Sequence, residues 1–110
     1  MQIVDRKLLE LAAKAVGIHL TWGGPDKDMP RRTDTLYLWS PHTDDDGDAL
    51  RLAAKLLIQI YPGQDEVEVI QMESGYFYEP SNGDVLFATR RAIVRAAAEI
   101  GRQMREGGAA

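Results

Sequence analysis

The chain has 110 residues, 45% hydrophobic and 27% charged, a size and balance that fit one globular domain with its own core. It contains no cysteine, which excludes a disulfide framework, a thiolate nucleophile and cysteine-ligated zinc. A net charge of −4 argues against broad nucleic-acid binding, which needs a basic surface, and no apolar run approaches the ~20 residues of a membrane span.

The first predicted element is a helix from about Asp5 to Val16. Asp5 serves as its N-cap, and Gly17 stands where a left-handed C-terminal residue is wanted. Leu8, Leu11, Ala12 and Ala15 recur at helical spacing, opposite Arg6, Lys7, Glu10 and Lys14. The segment lacks a signal peptide's uninterrupted apolar core, so a cytoplasmic location is expected. Ile18 to Trp22 alternates with period two, as a half-buried strand does. Gly23-Gly24-Pro25 breaks it, and residues 23 to 35 read as a loop. Leu36 to Trp39 is a second strand, stopped by Pro41.

A second helix is expected from Asp45 or Asp46 to Ile60. Asp48, Arg51, Lys55 and Gln59 form a narrow polar stripe, and apolar residues fill the rest. So wide an apolar arc predicts a helix covered on more than one side, or one that forms a homodimer interface. Val67 to Met72 reads as a third strand, Tyr76 to Tyr78 as a short fourth, and Pro80-Ser81-Asn82-Gly83 as a turn. The last helix runs from a cap at Asp84 to about Met104, with Leu86, Ile93, Ala97, Ile100 and Met104 on one stripe. Residues 105–110 are expected to form a frayed tail. The order α-β-β-α-β-β-α predicts an α+β fold over residues 1–110. Three helices would pack on a small, mostly antiparallel sheet of three or four strands.

The segment from Trp39 to Leu52 draws attention to itself, because four aspartates surround Gly47 where a strand gives way to a helix. An EF-hand calcium loop with Gly47 at position six would put Asp46 at five and Asp44 at three. It would also put His42 at position one and Ala53 at twelve, where ligands are required, so that motif fails. Thr43 or an aspartate can instead cap the helix, and the other carboxylates suit the positive end of its dipole. His42 beside Asp44, Asp45 and Asp46 is the one setting for metal-assisted or acid–base chemistry. No activated nucleophile, phosphate loop or dinucleotide fingerprint accompanies it. No catalytic, cofactor-binding or metal-ligating residue is therefore predicted. Arg90, Arg91 and Arg95 form a basic cluster on the last helix, Arg31-Arg32 another. Tyr76, Phe77 and Tyr78 could stack bases if exposed.

Trp39-Ser40-Pro41-His42-Thr43 followed by Asp45-Asp46-Gly47-Asp48-Ala49-Leu50-Arg51-Leu52-Ala53 resembles a recurring segment of small tailed-phage and prophage proteins. Ala88 to Ala97 is similar to their C-terminal helix, and Leu8 to Ile18 to their N-terminal one. Ser40 stands where those proteins usually carry asparagine, and the aspartate run is one residue longer. The family is described as a phage α-β-α sandwich domain of unknown function. The resemblance implies an uncharacterised phage accessory protein, and the expectation is that it is non-enzymatic, needs no cofactor and binds an unknown host or phage protein. Its expected partner surface comprises Arg31, Arg32, Trp39, His42, Asp44, Asp45 and Asp46. The alternatives are a nucleic-acid-associated regulator using Arg90, Arg91 and Arg95, and a metal-assisted enzyme at the His42 loop.

Overall fold

The computed structural model describes residues 3–23, 29–42 and 46–104. It is an α+β fold. The elements are α1 (Ile3–Ala15), β1 (Leu20–Thr21), β2 (Arg31–Arg32), α2 (Asp46–Lys55), β3 (Gln59–Tyr61), β4 (Glu66–Gln71), β5 (Gly75–Pro80) and α3 (Val85–Gln103). Strands β1 and β2 form one small sheet and β3-β4-β5 another, with every pair antiparallel. The frayed tail expected over 105–110 lies outside the described residues.

The α3 helix organises the interior. Asp84 caps it by accepting the Phe87 N–H at 3.0 Å, as its sequence position predicts. Its buried side is built from small residues, Ala88, Ala92, Ala96, Ala97 and Gly101. These let α1 approach so closely that a Cβ on Gly101 would stand 1.9 Å from the Leu11 carbonyl oxygen. On another side α3 meets β4 and β5, whose inner face presents Val67, Val69 and Phe77 to it. Val67 and Val69 are fully buried, each contributing about 1.5–3 kcal/mol of transfer free energy.

The second helix is shorter than its apolar pattern predicts, because a backbone cap intervenes. After Lys55 the Leu57 N–H donates to the Ala54 carbonyl at 3.3 Å, and the Ile58 N–H to the Ala53 carbonyl at 2.9 Å. Leu57 itself sits at φ 57°. This is a Schellman cap with leucine in the left-handed position. The same pair of bonds closes α1, from Gly17 to Lys14 and from Ile18 to Ala13, with Gly17 at φ 74°. Gln59 and Ile60, expected to be helical, therefore belong to strand β3 with Tyr61. The wide apolar arc dissolves, since Leu56 to Ile60 belong to a turn and a strand.

The segment expected to be a loop over 23–35 contains strand β2, which pairs Leu20 with Arg32 and Thr21 with Arg31. The expected strand at Leu36 to Trp39 is reduced to a single bridge between Leu38 and Arg31. Leu36 lies at φ 64°, which breaks an extended run there. The chain re-enters the core at Trp39, whose N–H donates to the Pro30 carbonyl at 3.0 Å.

Candidate protein-docking surface

The residues proposed from sequence as a partner surface separate into different roles. Trp39 and His42 are both only 3% exposed, so neither presents a contact surface. Tryptophan at that strand-to-helix junction is core because Asp48, also buried, draws the junction onto α2. Its carboxylate accepts the Ser40 N–H at 3.0 Å and pairs with Arg51 at 2.8 Å. Asp48 was legible only as one member of a polar stripe, and its docking role has no local sequence signal. Asp44 and Asp45, with Thr43, lie outside the described residues. Asp46 is exposed, and its carboxylate pairs with Arg90 at 2.6 Å, joining the start of α2 to α3.

Arg31 and Arg32 are half-buried and brace their own hairpin. Arg31 donates to the Leu36 carbonyl at 3.0 Å, and Arg32 pairs with Asp34 at 2.9 Å. That guanidinium holds the Asp34 carboxyl below its usual range. Arg32, Arg51 and Lys55 also rim a cavity of about 270 Å³ floored by Trp39 and Leu52. Lys55 is tied within it to the Val16 carbonyl at 3.2 Å.

The arginine face of α3 is likewise spent within the molecule. Arg90 is held by Asp46, and only 12% of its side chain is exposed. Arg95 pairs with Glu79, donates to the Tyr78 carbonyl at 2.9 Å and lies 5.6 Å from the centre of the Phe77 ring. Two of the three cations proposed for phosphate thus clamp α3 to its neighbours. Among the described residues no cluster of three or more acidic or histidine side chains could hold a metal ion, and no helix is long and apolar enough to cross a membrane.

What remains open is the outer face of the β3-β4-β5 sheet. Register sets Tyr61 opposite Glu68, Glu68 opposite Tyr78, Ile70 opposite Tyr76 and Glu66 opposite Pro80. Alternation then sends Val67, Val69 and Phe77 inward, and Glu66, Glu68, Ile70, Tyr61, Tyr76 and Tyr78 outward. Tyr61 is 52% exposed, Tyr76 65% and Tyr78 47%. The Glu68 carboxylate, facing Tyr78 across the register, raises the Tyr78 pKa above the ordinary phenol value. The turn behind the face is fixed by buried Gln71. Its amide donates to the Leu56 carbonyl at 3.1 Å while its carbonyl accepts the Glu73 and Ser74 N–H groups at 2.7 and 2.8 Å.

From sequence, Tyr76, Phe77 and Tyr78 suggest only a base-stacking set and do not mark a protein-docking face. The signal that could have found it is electrostatic. Between Lys55 and Arg90 there are six acidic residues and no lysine, arginine or histidine. A second exposed feature is an apolar groove between α2 and α3, where Leu50 and Leu86 are 65% and 63% exposed. Comparison with protein-family models, curated proteins and solved structures finds no match to this chain.

Proposed function

We propose that this protein is a non-enzymatic protein-binding module, an accessory protein of the phage or prophage kind its sequence resembles, acting in the bacterial cytoplasm. The outer face of the three-stranded sheet is its docking surface. One observation carries the reading: three tyrosines stand exposed on a single rigid sheet face. Tyrosine is enriched at the centres of protein interfaces because it supplies contact area at low entropic cost and a hydroxyl for orientation. A photo-crosslinking amino acid at Tyr76 tests this in infected or lysogenic cells. The expected result is a discrete protein adduct that the same probe at Lys14, on the exposed side of α1, does not give. Identical adducts from both positions, or none from Tyr76, would rule the face out.

The apolar groove at Leu50 and Leu86 supports a homodimer as a second mode of association. Sedimentation of the wild type and of Leu86→Glu checks it, a dimer that the charge converts to monomer being the expected result.

A further inference from the structure

We infer that the outer sheet face receives a short arginine- or lysine-rich segment of a partner protein, an inference that rests on the docking reading above. The face is built as a cation receptor. Glu66 and Glu68 project from the central strand, about 7 Å apart as alternate residues of one strand. Glu68 lies between Tyr61 and Tyr78 on the flanking strands, a row about 10 Å long at ordinary strand spacing. A guanidinium seated on Glu68 would find a carboxylate to pair with and phenol rings on either side for cation–π contact.

The molecule already contains one such arrangement, occupied. Arg95 reaches β5 and meets a carboxylate (Glu79), a ring (Phe77) and a strand carbonyl (Tyr78). The outer face offers the same carboxylate-and-ring chemistry with no cation of its own, since the three strands and their turns carry none.

Charge and size select the occupant. Nucleic acid is repelled by a face whose only charged side chains are carboxylates. Three strands of at most six residues cover on the order of 300 Å², well below the roughly 800 Å² that each partner contributes to a standard interface. A single basic segment matches that area better than a folded domain does.

The test uses the full chain and fluorescein-labelled octa-arginine, with octa-glutamate and a single-stranded DNA oligonucleotide as the other probes. Two double variants remove equal charge: Glu66→Gln/Glu68→Gln on the face, and Glu10→Gln/Asp34→Asn away from it. Octa-arginine alone should bind, and binding should weaken with salt. The face variant should lose about fivefold or more in affinity, and the distant variant less than about twofold. Tyr76→Ser, which changes no charge, should weaken binding about threefold. Amide shifts on titration should centre on β3, β4 and β5. Equal losses in the two double variants, tighter binding of the DNA, or shifts centred elsewhere would overturn the inference. If octa-arginine does not bind while Tyr76 still crosslinks a partner, the basic segment is wrong and the docking face stands. Absence of the Tyr76 adduct removes the docking face itself.

Discussion

Single side chains in this protein carry consequences that residue type alone would misjudge. Gly101 lies within the last turn of α3, where alanine normally gains up to about 1 kcal/mol. Here an added methyl group meets the Leu11 backbone 1.9 Å away, and backbone cannot swing aside. Gly101→Ala should therefore destabilise the fold by about 2 kcal/mol or more, read from denaturant midpoints at unchanged slope. The two aspartates at the start of α2 divide in the same way. Asp48→Ala removes a buried carboxylate from the Ser40 N–H and should cost about 2 kcal/mol. Asp46→Ala removes an exposed carboxylate from a mostly buried Arg90 that water can still reach from the Asp46 side, and should cost about 1 kcal/mol, less than Asp48→Ala. Equal costs for the two would show that Asp48 does not hold the junction. Tyr78 supplies a pH signature. Its hydroxyl is favoured in the protonated form by Glu68, so its folded pKa lies above the unfolded one. That contribution is complete below the unfolded phenol pKa and disappears as pH rises through the folded value. In an ultraviolet titration of phenolate, one tyrosine should ionise late, and Glu68→Gln should return it to the ordinary range.

Elements were legible where their ends are written in side chains, and obscured where backbone bonds set them. The last helix was read to within a residue because Asp84 announces its start and the alanine stripe its buried side. The first helix showed its end because glycine occupies the left-handed position. The second helix closes with the same two bonds, but Leu57 holds that position and leaves no sequence mark. That omission carried the expected helix through Gln59 and Ile60 of strand β3 and produced a misleadingly wide apolar arc. The geometry gives a prediction. Leu57 is 81% exposed, so little burial is lost in Leu57→Gly, and relief of the left-handed strain should raise stability by about 0.5–1 kcal/mol. A lower thermal midpoint for that variant would mean the leucine makes contacts that outweigh its strain. Two of the expected surface residues, Trp39 and His42, are core for a related reason. Trp39 and His42 sit beside polar residues in sequence, yet burial is decided by Asp48, whose partners come from eight residues earlier and three later.

At the scale of the molecule, α3 touches α1, α2, β4 and β5, whereas β1 and β2 form only a two-residue pairing. Stability should be graded accordingly. Amides from Ala92 to Ala98 should exchange with solvent hydrogen only through global unfolding, and those of Leu20 and Arg32 through far cheaper local opening. Exchange at similar rates in the two regions would show a single cooperative unit instead. The general architecture, helices and antiparallel strands in an α+β arrangement, followed from the alternation of periods along the chain. The open sheet face did not, because outward tyrosines and inward phenylalanine look alike until register assigns them sides. The gap in positive charge from Lys55 to Arg90 has a practical outcome for anyone seeking the partner. Trypsin cuts after lysine and arginine, so it leaves the whole sheet, residues 56–90, as one uninterrupted fragment. Whatever is crosslinked to any part of that face will be carried on a single peptide in a mass spectrum.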